Sequence, residues 1–330
     1  MTKKEDIKDG LVEEFYRRNF FEIILGEKPK LRSKTHYKNG KQNGLWETFH
    51  KDGQLSKRVN YKNGQQEGLH ESFYGSFFER TNWKNGKEHG SWESFYKNGQ
   101  LRDRTNYKNG EQHGLEERFH ENGQLSDRVN YKDGKEHGSW EMFFQNGQLE
   151  GRGNCKNGKE HGSLELFYQN GQLTHREGYK NGKKDGLWEY FDEDGNLTKT
   201  ETWENGKHDG LFESFYDNGK LFSRVNYKNG KQDGLYERFE ENGQLQSKRN
   251  HKNGQREGPY EEYYDNGQLC FKSNYKNGKQ EGLHEVFHEN GQLQGRGNYK
   301  NGELEGLLEM FDENGNLTET KEYKDGKLVE

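Results

Sequence analysis

A block of 24 residues recurs along almost the whole chain and confines it to a repeat architecture. Residues 91–114 show it once, as SWESFYKNGQLRDRTNYKNGEQHG. The tyrosine of its second half returns as Tyr37, Tyr61, Trp83, Tyr107, Tyr131, Cys155, Tyr179, Trp203, Tyr227, His251, Tyr275, Tyr299 and Tyr323. Every step is 24 residues except the 22 between Tyr61 and Trp83. A fixed period of this size marks stacked supersecondary units that share one continuous structure. The two or three domains that 330 residues would otherwise suggest are overridden by it.

Composition sets the kind of unit. Hydrophobic residues make up 26% of the chain and charged residues 33%, a balance that leans toward disorder. Against that, aromatics reach 14% and the glycines fall at fixed positions of the repeat. There is no alanine, and isoleucine occurs only at Ile7, Ile23 and Ile24. Such a chain cannot build a thick aliphatic core or long helices; a thin sheet with aromatic columns suits it. A net charge of −5 with alternating signs argues against a nucleic-acid stripe. Cys155 and Cys270 stand in different columns, so a disulfide framework is not expected. The apolar run Phe20–Leu25 is short and carries Glu22, so neither a signal peptide nor a membrane span is read here, and a cytoplasmic location is expected.

Each unit reads as two strands and two tight turns. Asn98-Gly99 and Asn109-Gly110 are Asn-Gly pairs, which supply the positive φ of type I′ hairpin turns. The fold expected is all-β: an elongated, single-layer antiparallel β-meander of tandem hairpin repeats, roughly 115–125 Å long at ~4.7–4.9 Å per strand. With Asn98-Gly99 as a two-residue loop, Tyr96 faces Leu101, Phe95 faces Arg102, Glu93 faces Arg104 and Gly90 faces Tyr107. The Glu–Arg pair recurs, as in Glu47 with Arg58 and Glu141 with Arg152, and forms a ladder broken only at Thr200 and Thr320. Opposed charges contribute roughly 0.2–1 kcal/mol each and pin the register. One face then carries the Glu, Phe, Arg and Asn columns; the other carries the Leu and Tyr columns and the positions that vary. Gly44, Gly68, Gly90 and their equivalents through Gly306 mark a bulge or close approach. The 22-residue unit has Gly75-Ser76 in place of the usual turn, so a tighter turn is expected near residues 74–78.

The head of the chain matches the repeat columns over Gly10–Tyr16 and Leu31–Tyr37, with an insertion at 17–30. Residues 1–36 are therefore read as an N-terminal capping unit, 37–322 as twelve repeats, and 323–330 as a partial repeat. The rival reading places an amphipathic helix over residues 5–25, with Ile7, Leu11 and Phe15 on one side.

The pattern N-G-K-x-x-G-x-W-x-x-F/Y-Y-x-N-G-x-L over residues 37–330 resembles the MORN-repeat variant. Bacterial proteins of this kind are grouped as antitoxins of toxin–antitoxin pairs. The resemblance implies a non-enzymatic, cytoplasmic binding protein, with a toxin encoded nearby as its partner. The insertion at 17–30 departs from that pattern.

The chemistry weighed along the columns agrees with a binding role. His89, His113, His137 and His161 stand in one column, but equivalent positions lie roughly 9–10 Å apart, too far to share an ion at ~2 Å. No metal and no other cofactor is expected. A glutamate–arginine pair repeated in every unit is a ladder, since an active site is singular. The column after Gly-Leu/Ser is more suggestive: Trp46, His70, Trp92, Trp140, Trp188, Phe212, Tyr236 and Tyr260. Beside it on the same face stand Tyr74, Tyr96, Phe144, Tyr168, Tyr216 and Tyr264. These either shield one side of a single-layer sheet or form an aromatic groove for a protein partner. Two alternatives are a carbohydrate or cell-wall binder using stacked rings and a membrane-surface lipid-binding module. The first would need export; the second would want a basic face, and here the basic columns are paired with glutamate.

Overall fold

The computed structural model describes residues 9–329. They form 30 strands and one helix of five residues. The chain divides into two compact units, residues 1–159 and 160–330. Within each, consecutive strands pair antiparallel as an open meander.

The repeat at Lys87–Tyr96 and Leu101–Lys108 shows the geometry. Gly90 pairs with Tyr107, Trp92 with Thr105 and Glu93 with Arg104, as the ladder requires. Beyond Ser94 the register shifts, and Phe95 meets Leu101 instead of Arg102. The reason lies in the turn. The Tyr96 N–H donates to the Gln100 carbonyl (2.8 Å) and the Gly99 N–H to the Tyr96 carbonyl (2.9 Å). Only Gly99 has positive φ (85°); Asn98 does not. This is a three-residue loop with glycine in the left-handed position, not the two-residue type I′ turn expected. Arg102 becomes the bulged residue, and Leu101 turns to the Glu–Arg face beside Phe95. The leucine column therefore does not share the tyrosine face. The second turn is type I′ as read: Asn109 and Gly110 have φ of 55° and 89°.

Successive hairpins join through the glycine column. Val129 pairs with Trp140 and Tyr131 with Glu136, which leaves a bulge around Gly138, whose φ is 100°. A side chain at that φ would be strained. In the short unit, Phe73 pairs with Phe78 and the Tyr74 N–H reaches the Phe77 carbonyl, a tight turn that also stacks Phe78 on Phe95 at 4.4 Å.

At the head, β1 (Gly10–Phe15) pairs with β2 (Leu31–Lys38). Gly10 faces Tyr37 and Glu13 faces Lys34, the register of the other repeats. A helix over 5–25 does not form across β1; the part of that reading at 5–8 lies outside the described residues. The insertion instead holds α1 (Phe20–Ile24), started by an Asn19–Glu22 capping box and burying no residue.

Candidate functional site

The two sides of the sheet differ in kind. On one, Arg58, Arg104 and Arg176 each bridge carboxylates of their own and the next hairpin. Arg58 lies 2.9 Å from Glu47 and 3.3 Å from Glu71; Arg176 lies 3.0 Å from Glu165 and 2.8 Å from Glu189. Arg104 lies 3.5 Å from Glu93, Arg128 pairs with Glu141, and Arg152 stands opposite Glu141 in register. Burial acts to raise the Glu47 carboxyl, but Lys34 and Arg58 outweigh it and hold its pKa below the usual range. This face is nearly the same in every repeat and offers nothing singular.

The other side carries the aromatic column, in which Trp46, His70, Phe212 and Tyr260 each lie against the aromatic of the tyrosine column of their own hairpin. Ring centroids lie 6.3 Å apart for Trp46–Tyr61, 6.0 Å for His70–Trp83, 6.3 Å for Phe212–Tyr227 and 6.1 Å for Tyr260–Tyr275. Trp92 stands opposite the buried Thr105, and the Trp140 indole lies over Gly153. Tyr236 meets His251 edge to face. Trp188 and Tyr260 are buried, at 2% and 7% exposure, so they form part of the packing of residues 160–330. Trp188 donates from Nε1 to the Gly178 carbonyl (3.0 Å), and the Lys184 ammonium lies 3.9 Å from its ring. In residues 9–159 a cleft of about 500 Å³ opens on the aromatic side, lined by Tyr16, Ser33, Thr35, Tyr37 and Trp46 among others.

The adjoining tyrosine column has a role that spacing did not reveal. The Tyr96 hydroxyl donates to the Phe119 carbonyl (2.8 Å), Tyr168 to Phe191 (3.0 Å), Tyr216 to Phe239 (2.8 Å) and Tyr264 to Phe287 (2.6 Å). Each fastens one loop to the next hairpin, 23 residues on. Tyr16 reaches Phe49 in the same way across 33 residues, the excess matching the insertion. Phe144, without a hydroxyl, makes no such bond.

The polar column before each glycine is likewise structural. Glu67, Asp209 and Glu281 accept the backbone N–H of Asn85, Asn229 and Asn301, the first residue of the next type I′ turn, at 2.8–2.9 Å. His161 accepts from Asn181 at 3.4 Å. Among the described residues no group of three or more His, Cys, Asp or Glu is placed to hold a metal ion. Among the described residues no helix is long and apolar enough to cross a membrane, which leaves strand-built spans untouched.

Charge on the aromatic side changes along the chain. Glu79, Glu88 and Glu160 have pKa values raised, chiefly by burial. Farther on, Arg238, Arg249 and Arg256 stand on the same side.

The model of the MORN repeat variant family matches residues 42–63, 88–109, 112–133, 136–157, 160–181, 184–205, 209–229, 232–253, 256–277, 280–301 and 304–325. The gap between 63 and 88 falls on the short unit. No curated protein gives a significant match. Among solved structures, one titled "Crystal Structure of TcdB2-TccC3-TEV" aligns at 11% identity and a TM-score of 0.18, over 96% of this chain and 21% of that one. The chain spans about a fifth of that structure's chain, and the likeness carries no argument about fold or function.

Proposed function

We propose, from the premise that this chain belongs to the MORN repeat variant family, that it is a non-enzymatic scaffold whose aromatic side binds one protein partner. The observation that carries the reading is the contrast between the faces. The Glu–Arg ladder repeats with little change, whereas the aromatic side differs at each hairpin in ring, charge and exposure. A surface needed only for shielding has no reason to vary in this way; recognition of a particular partner requires it. Contact falls to the rings that remain partly exposed, Trp46, His70, Trp92, Trp140, Phe212 and Tyr236. The tyrosine hydroxyls are already engaged by carbonyls, and Trp188 and Tyr260 support from within.

Within this class, the partner proposed is a toxin encoded nearby, neutralised in the cytoplasm, as in the antitoxin group that the repeat resembles. Co-expression with the product of the neighbouring gene tests it, scored by growth and co-purification. A neighbour toxic alone and harmless in complex is expected, with Trp92→Ala and Trp140→Ala weakening capture while far-UV circular dichroism stays that of a β protein. A harmless neighbour that fails to co-purify would remove the toxin reading.

A further inference from the structure

In residues 160–330 the aromatic side carries a place where three arginines gather around aromatic rings, with Glu262 the carboxylate that acts on Arg249. Arg249 stands directly opposite Tyr236 on one neighbouring strand and Tyr260 on the other. Its guanidinium lies 4.0 Å from the Tyr236 ring centroid and 5.9 Å from that of Tyr260. Arg256 lies over Tyr260 and Tyr275 at 5.1 and 5.2 Å, and Arg238 over Phe222 at 4.9 Å. Among the described residues none of the three arginines makes an ion pair, whereas Arg58, Arg176, Arg224 and Arg296 of the ladder on the opposite face do. Glu262, the carboxylate on this side, takes the Tyr260 hydroxyl instead.

Two buried nitrogen atoms there lack partners. The Arg249 Nε is buried without a hydrogen bond, and so is Nδ1 of His251, a residue only 8% exposed that pairs with Arg256 in register. Leaving buried polar groups unpaired costs about 1–3 kcal/mol each, which a fold tolerates where a ligand supplies the missing partner. Arg256 spends one N–H on the Tyr275 hydroxyl (3.4 Å), and a guanidinium held over a ring keeps further N–H groups with which to donate to a carboxylate.

We propose that Arg249 and Arg256, held between Tyr236, Tyr260 and Tyr275, form an anion-binding site that takes an acidic side chain of the polypeptide partner. The assignment rests on the partner-binding reading and adds the polarity of the docked segment. Toward Glu177 and Glu201 the same side carries carboxylates, Glu201 paired with Lys199 at 2.9 Å, so the partner's acidic residue lies over the arginines and not over those glutamates.

The test uses the full chain and a short fluorescein-labelled peptide rich in glutamate, read by fluorescence polarisation at low ionic strength. Its glutamine and lysine counterparts serve as the other arms. The glutamate peptide is expected to bind, and R249Q and R256Q each to weaken it about tenfold, the loss of roughly one charge-assisted pair. R296Q, in the ladder on the opposite face, should leave binding unchanged. R249K keeps the charge without the fork and should fall between; it decides the matter if R249Q proves unfolded by circular dichroism. Equal binding of the glutamate and glutamine peptides, or wild-type binding by R249K together with R256Q, overturns the site. Either result would leave intact the capture of a partner through Trp92 and Trp140, whose loss is read separately by co-purification.

Discussion

The Trp140 indole lies over Gly153, where an added Cβ would come within 2.8 Å of the ring. In the hairpins at 91–106 and 115–130 the equivalent places hold Thr105 and Val129, so Gly153 is the exception that gives the indole room. Gly153→Val should therefore lower stability by about 1–3 kcal/mol through overpacking. The same change in a Trp140→Ala background should cost much less. Thermal melts of the four combinations check this, and additive losses would contradict it. His70 makes a second residue-scale prediction. Burial first and Lys57 second push its pKa down to about 4 from 6.5. The unfolded imidazole gains its proton before the folded one, so its contribution is complete above 6.5 and is lost as pH falls toward 4. A His70→Gln variant should show a shallower fall of Tm between those pH values than the wild type. A curve of unchanged slope would place the cause elsewhere.

At the scale of the element, the hairpin was largely legible and its turn was not. The ladder pairs such as Glu93–Arg104 recur in the sequence and fix the body of each hairpin in register. Asn-Gly at 98–99 and at 109–110 looks identical on paper, yet the first is a three-residue loop and the second a type I′ turn. Local residues suit both, and the choice falls to packing: a bulge at Arg102 brings Leu101 opposite Phe95. The tyrosine fasteners were illegible for a related reason. Their acceptors are backbone carbonyls, which carry no residue signature, so Tyr216 reads as an exposed aromatic until the structure places it 2.8 Å from the Phe239 carbonyl. Tyr216→Phe removes that bond alone and should cost about 0.5–1.5 kcal/mol. Hydrogen exchange should quicken in the loop it fastens, and unaltered exchange and Tm would deny the fastening. By contrast, α1 buries nothing, with Phe20 and Phe21 more than 70% exposed. Phe20→Ser with Phe21→Ser should shift stability by no more than about 0.5 kcal/mol, as a surface change does. A large loss of Tm would mean that the insertion supports the fold.

For the whole molecule the period itself is the constraint. Each hairpin meets only its neighbours, and the groups that tie neighbours together repeat every 24 residues. Deleting residues 212–235 removes one period and joins Leu211 to Tyr236, which restores Gly-Leu-aromatic-Glu in its column. After the deletion Asp209, which now accepts from Asn229, has Asn253 in the equivalent place, and Thr200, which faces Glu213, has Glu237. The remaining chain should thus fold, with β-type circular dichroism and a cooperative melt displaced by no more than the loss of one repeat. Deleting one residue fewer, 212–234, shifts the following strand by one position and sends Glu237 to the aromatic side and Tyr236 to the ladder. A one-residue slip inverts every side chain of a strand, so this variant should unfold or aggregate. If both deletions behaved alike, the columns would not be setting the register. If the 24-residue deletion alone folded, as expected, the contacts of each hairpin with its neighbours would be sufficient to specify the array.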